Sequence, residues 1–186
     1  CGMSVVTEYA GKELADVARH LNASQRLDLA VQVAQGLADV HSIGGNNDDG
    51  GRGVRPSLVH NDLNLANLVL TPDNRPVLND FNIAILLMKH NETGETCPFA
   101  SHFPNPQWRG PEEQVNSEYE SDTRPPIVTE KIDIYALGNV FYRLAVGASP
   151  WKRPGDKKLS REEKIEVARL KRTNGTLPAI PNDIIN

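Results

Sequence analysis

The sequence predicts an α+β fold that is mainly helical, with a few short β-hairpins. Three observations point there. Residues 129–147 hold a near-continuous apolar run that is too long for a strand. Residues 22–41 repeat apolar side chains at a spacing of three to four. Between these two segments lie only short β-branched stretches divided by turn residues.

Taken in order, residues 3–9, MSVVTEY, predict a short buried strand, and Lys12 to His20 a short helix. Asn22 is a helix cap with Gln25 three residues on. From there Leu27, Ala30, Val31, Ala34, Leu37, Ala38 and His41 form one stripe, expected to face the core. Gly44 to Ser57, GGNNDDGGRGVRPS, reads as a flexible insertion. Short strands are expected at Ser57–Val59, Asn67–Leu70 and Val77–Asn79, the last two joined by a turn at Thr71–Pro76. Residues 83–109 lack periodicity and read as an ordered or switchable loop, and the polar stretch 116–126 reads as exposed. Thr129 is the expected cap of a helix running to about Gly147. Its apolar residues go all the way round, which predicts burial on most sides. Ser160 caps a further helix, from Arg161 to about Arg172, and Leu177–Pro181 ends the run. There are no internal repeats.

The 186 residues suffice for one domain with a core. A net charge of −4 gives no electrostatic footprint for nucleic acid, and no basic tract suggests a membrane surface. Cys1 and Cys97 make neither a metal-ligand spacing nor a disulfide framework, so a reducing compartment is expected. No apolar run approaches the ~20 residues of a membrane span, and no signal peptide is visible. The chain opens at Cys1 without a Met and reads as a fragment.

Residues 60–67, HNDLNLAN, and Asp80-Phe81-Asn82 carry the chemistry. Phosphoryl transfer needs a positioned nucleophile, metal ions across the phosphates and charge neutralisation. Asp62, just after a strand, can orient a hydroxyl and accept its proton. Asn67 and Asp80, at the two ends of a hairpin, offer oxygen ligands to a hard cation such as Mg²⁺. Singly, each residue is an ordinary turn or strand-end residue. Together, as H-x-D-x₄-N followed by D-F, they point to a phosphotransferase.

HNDLNLAN resembles the protein-kinase catalytic loop HRDLKPEN, and Asp80-Phe81-Asn82 resembles its DFG. Gln107 to Glu112, QWRGPE, resembles the end of an activation segment, W-R-A-P-E. DIYALG, Asp133 to Gly138, resembles the family's long central helix. Thr7-Glu8-Tyr9-Ala10 resembles the hinge. The segments stand in the family's order across essentially the whole chain.

The resemblance implies a partial kinase-like domain over 1–186, the C-terminal lobe without its N-lobe. Its parts would be a hinge at 6–11, a catalytic loop at 60–67, an activation segment at 80–112 and a central helix at 129–147. It implies Asp62 as base and Asn64 near the γ-phosphate. Asn67 and Asp80 would hold Mg²⁺. Thr7, Glu8, Ala10 and Val69 would lie around the adenine of ATP. His60 and Phe81 would stack, anchored by Asp133, and Glu112 would seek an arginine that the sequence does not offer. The implied activity is ATP- and Mg²⁺-dependent phosphorylation of a protein substrate, on Ser or Thr before Tyr. The implied location is the cytoplasm or the cytosolic face of a membrane protein. The glycine-rich loop and the phosphate-binding lysine would lie upstream, so the chain alone is expected to be inactive.

Three positions depart from the family. Asn61 replaces the arginine that receives an activation-loop phosphate, which argues against control through Thr93, Thr96 or Ser101. Asn64 replaces a lysine, and Asn82 replaces the DFG glycine, where Asn is the best non-glycine residue for a left-handed backbone. These changes keep two alternatives open: a pseudokinase scaffold, and a small-molecule kinase of the choline or aminoglycoside type. Lesser signals have plain readings. The sequons at Asn22, Asn91 and Asn174 are expected to be chance matches, and His90, Cys97 and His102 solvated loop residues.

Overall fold

The computed structural model describes residues 11–43, 58–88, 90–95, 97–100, 106–114, 127–152 and 157–182. The expected strand at 3–9, the insertion at 44–57 and the polar stretch 116–126 lie outside the described residues. So do Thr7, Glu8, Ala10, Thr96, Ser101 and His102.

The described residues form a mixed α/β structure of four α-helices and small antiparallel sheets. The expected helix from Lys12 is corrected. Lys12–Glu13 form strand β1, and only Leu14–Val17 are α-helical (α1), followed by a 3₁₀ turn at Ala18–His20. The apolar spacing that drives the helix begins at Leu14 and continues at Ala18, both buried.

Helix α2 spans Ala23–Ser42. Its cap is reciprocal: Gln25 N donates to Asn22 Oδ1 at 2.9 Å, and Asn22 N donates to Gln25 Oε1 at 3.0 Å. Its buried face is Leu29, Val33, Leu37 and Val40. The expected stripe is corrected, since Leu27 is 65% exposed and Val31 62%. The helix carries two apolar stripes, and periodicity alone does not say which one meets the sheet. The outer stripe lines an open apolar groove with Phe141, Leu144 and Ala145. Leu37→Ala is therefore expected to cost ~2–5 kcal/mol in urea unfolding, and Leu27→Ala less than ~0.5 kcal/mol. Equal losses would refute this assignment of faces.

Strands β2 (Leu58–Val59), β3 (Leu68–Leu70) and β4 (Pro76–Leu78) follow. The larger sheet has the order β1-β3-β4, with Val69 between Glu13 and Val77. Asn67 lies just before β3, in a 3₁₀ turn at Leu65–Asn67. Strand β4 starts at Pro76, at a strand's first position, where a missing N–H is tolerated. The turn before it is closed by Thr71 N to Arg75 O, 2.9 Å, with Asn74 left-handed at φ 64°. The sheet lies close on α2: a Cβ at Gly36 would come within 2.9 Å of Leu78 Cδ1.

The stretch 83–109, expected as loop, contributes strands β5 (Ile85–Leu86) and β6 (Phe99–Ala100). Strand β5 pairs with β2, and β6 pairs with β7 (Ile127–Val128). Two-residue strands are too short to show a period.

Helix α3 spans Lys131–Val146, within the expected 129–147. Glu130 occupies the cap position without a side-chain bond; Thr129 Oγ1 accepts only a long 3.5 Å bond from Lys131 N. Gly147, at φ 76°, ends it in the left-handed conformation that favours glycine. Burial is less complete than expected: Ile132, Val140, Leu144 and Val146 are buried, while Ile134 and Phe141 are exposed. Helix α4 spans Arg161–Asn174 behind a Ser160–Glu163 capping box and ends at left-handed Gly175. No helix among the described residues is long and apolar enough to cross a membrane.

Among the described residues two buried clusters hold these parts: Val59, Leu87, Val128 and Ile132 form one, and the other is larger. Leu14, Val33, Leu37, Leu63, Leu65, Leu68, Val140 and Leu144 pack together. Two of them, Leu63 and Leu65, belong to residues 60–67, so the loop that carries Asp62 is rooted in the core.

Candidate active site

The loop begins where β2 ends. His60 is fully buried, and Asp133 of α3, itself 1% exposed, holds it from below. Asp133 Oδ2 accepts from His60 N at 2.7 Å, and Oδ1 accepts from Asn61 N at 2.9 Å. His41, at the end of α2, brings its Nε2 to 3.0 Å from the same Oδ2. Asn61 sits left-handed at φ 64° and donates from Nδ2 to Ile83 O at 3.0 Å. An asparagine tolerates that backbone conformation better than most residues.

Asp62 follows, with its side chain 41% exposed. Asn67 Nδ2 donates to Asp62 Oδ2 at 3.0 Å and to Asp62 O at 2.8 Å. With its nitrogen bonded to Asp62, Asn67 keeps an amide oxygen that could serve as a cation ligand. Asn64 is occupied by the loop itself: Nδ2 donates to Asp62 O at 3.0 Å, and Oδ1 accepts from Ala66 N at 2.9 Å.

The hairpin brings the residue before Asp80 against the same loop. Asn79 N donates to Asn67 O at 2.9 Å, and Asn79 O accepts from His60 Nε2 at 3.0 Å. The next residue, Asp80, is exposed and left-handed at φ 63°. The left-handed backbone expected at Asn82 is corrected to Asp80. The Phe81 ring lies against His60 with centroids 4.7 Å apart, tilted by 45° and not stacked face to face. Val69, of β3, is 8% exposed.

Asn67 and Asp80 offer one amide and one carboxylate oxygen. Mg²⁺ is commonly held by one or two such ligands together with substrate phosphates, so this donor set fits it. Among the described residues no cluster of three His, Cys, Asp or Glu would hold a metal without such help.

Residues 106–114 pack beside Asp62, held largely through backbone oxygens. Asn139 Nδ2 of α3 donates to Trp108 O at 2.6 Å. Lys171 Nζ of α4 donates to Pro106 O at 2.6 Å and Arg109 O at 2.8 Å. The Lys171 ammonium also lies 4.9 Å from the Tyr135 ring centroid. The carboxylate that is buried here is Glu113, not Glu112: it is 2% exposed and accepts from Gly110 N at 2.9 Å. The cation paired with this buried carboxylate is Arg109, whose Nη1 lies 3.2 Å from Glu113 Oε1.

Burial pushes Lys171 down to about 8, against an upward pull from Glu113 and Glu112. A base whose folded value lies below its unfolded value of 10.5 binds fewer protons when folded between those two values. Burying the charge therefore counts against the fold below pH 8, and this is relieved as pH rises toward 10.5. Burial also pushes Tyr135 up to about 12, so the useful window closes near pH 10. From pH 7 to 9.5, wild-type stability is expected to gain ~1–2 kcal/mol on Lys171→Met in urea unfolding. A difference that stays flat or narrows would contradict this.

The sequence reading did not single out Arg109 or Lys171 for the site. Arg109 stood inside a quoted motif, but its contact with Asp62 spans 47 residues of chain. Lys171 stands in a helix rich in charged residues, and no local pattern marks it as buried.

The chain matches the protein kinase domain over residues 2–183. It is 26% identical over 182 residues to a probable serine/threonine-protein kinase of Dictyostelium discoideum, covering 95% of this chain and 16% of that protein. A receptor protein-tyrosine kinase of Arabidopsis thaliana is 28% identical over 131 residues, 70% of this chain and 11% of its own length. A calmodulin-binding receptor-like cytoplasmic kinase of Arabidopsis thaliana is 26% identical over 147 residues, 79% of this chain and 30% of its own. The chain thus spans less than a third of each of these relatives.

Proposed function

The chain belongs to the protein kinase domain family, and from that premise we propose that it is the C-terminal, catalytic-loop part of a domain that transfers the γ-phosphoryl group of ATP to a protein hydroxyl. The observation that supports this reading is that Asn67 bonds Asp62 through its side chain and Asn79, the neighbour of Asp80, through its carbonyl. In this reading Asp62 accepts the acceptor hydroxyl's proton and orients its oxygen toward the phosphorus. Asn67 and Asp80 hold Mg²⁺, which when bound screens the phosphate charge. Thr7, Glu8 and Ala10 line the adenine site, with Val69 beneath it. Asn64 helps set the catalytic loop. Residues 80–112 form the activation segment and 6–11 the hinge. Serine or threonine is the favoured acceptor, and the location is cytosolic, free or at a membrane's inner face.

Asn64 also favours a second reading, a binding module without transfer, because its amide is committed to the loop and no cation stands in its place. One assay separates the two: transfer of labelled γ-phosphate by the full parent protein to a protein acceptor, with and without Mg²⁺, beside Asp80→Ala. The expected outcome is Mg²⁺-dependent transfer that Asp80→Ala reduces at least ~100-fold. Nucleotide binding indifferent to Mg²⁺, with no transfer, would favour the binding module. An aminoglycoside or choline acceptor outcompeting protein would redirect the reading to small-molecule kinases.

A further inference from the structure

We propose that Arg109 is a positioning residue for Asp62, an internal cation that sets the loop carboxylate without a phosphate group. The inference rests on the kinase reading above and adds to it how the base is held. The Arg109 guanidinium is buried, with a side-chain exposure of 9%. Its Nη1 donates to Asn61 O at 2.5 Å, to Asn61 Oδ1 at 3.3 Å and to Glu113 Oε1 at 3.2 Å. Its Nη2 lies 3.6 Å from Asp62 Oδ1. The two Asp62 carboxylate oxygens thus face different neighbours: Asn67 on Oδ2 and Arg109 on Oδ1. At 41% exposure a lone aspartate would sample several rotamers; two fixed neighbours select one.

The left-handed backbone of Asn61 allows this arrangement. Its N–H is held by Asp133 and its Nδ2 by Ile83 O, while its carbonyl and amide oxygens both meet Arg109. The cation therefore arrives from residues 106–114, which are themselves clamped by Asn139 and Lys171. Orientation of the base is coupled to the docking of that segment. A planar, always-charged guanidinium suits the position because it can address Asn61, Glu113 and Asp62 from one fork.

The test must separate positioning from folding, because Arg109→Gln alone removes the guanidinium that pairs with the buried Glu113 carboxylate. The double variant Arg109→Gln/Glu113→Gln removes both charges, and Glu113→Gln alone removes only the fold partner. In the full parent protein the double variant is expected to lower kcat ~10- to 100-fold, with KM for the protein acceptor and nucleotide Kd within ~3-fold. Glu113→Gln alone is expected to keep kcat within ~3-fold. Arg109→Lys is expected to recover part of the loss. A kcat loss in Glu113→Gln equal to the double variant's, or an undiminished kcat in the double variant, would overturn the proposal.

Amide hydrogen exchange gives a readout independent of activity. Exchange at residues 61–63 is expected to speed up ~10-fold in the double variant, with α3 unchanged. No change there overturns the positioning role. Absence of transfer by the wild-type parent overturns the kinase reading instead.

Discussion

Asp62→Asn in the full parent protein is expected to lower γ-phosphoryl transfer about 1000-fold while leaving nucleotide affinity within ~2-fold. The substitution keeps the shape of the side chain and removes its capacity to accept a proton. Asn67 can still donate to the remaining oxygen, and Asp62 O, which receives both Asn67 and Asn64, is untouched. The loop backbone should therefore keep its geometry, and what the variant loses is the base together with its charge contact to Arg109. The measurement is single-turnover transfer beside nucleotide binding by calorimetry. Transfer within 3-fold of wild type would show that Asp62 is not the base.

Asp133→Ala is expected to cost the fold ~3–5 kcal/mol, among the largest single losses available to this chain. Asp133 is 1% exposed, and its two oxygens accept from two consecutive backbone N–H groups and face His41. Truncation leaves the N–H groups of His60 and Asn61 buried and unpaired, each a desolvation cost of ~1–3 kcal/mol. It also releases the left-handed turn at Asn61 on which the Arg109 contact depends. Asp133→Asn, which retains one acceptor oxygen, should cost roughly half as much. Urea unfolding measures both, and a loss below ~1 kcal/mol for the alanine variant would mean that the loop is held mainly by its leucines.

The parts legible in the sequence were those whose causes are local. Asn22 with Gln25, and Ser160 with Glu163, announced helix starts because the capping partners lie three residues apart. Gly147 announced a helix end because only the left-handed backbone closes it well. Asp62 and Asn67 were legible as a pair for the same reason, and here they share a hydrogen bond. Other features are set by distant contacts. Which stripe of α2 is buried depends on where β4 and α3 lie, so Leu27 and Leu37 looked alike in the sequence and differ in the fold. The β2–β5 and β6–β7 pairs carry no pattern of their own, being two residues long. Arg109 and Lys171 gain their surroundings from segments far along the chain, and nothing beside them in the sequence marks that.

The Lys171 clamp grips atoms that every amino acid possesses. Its ammonium and the Asn139 amide recognise carbonyl oxygens of Pro106, Trp108 and Arg109, not their side chains. Such a grip is indifferent to spelling. Residue 106 can be rewritten without losing a bond to the clamp, while loss of the single lysine releases several positions at once. At residue 106 the grip therefore combines freedom of composition with constancy of place, while Arg109 and Glu113 in the same stretch stay in register to use their side chains.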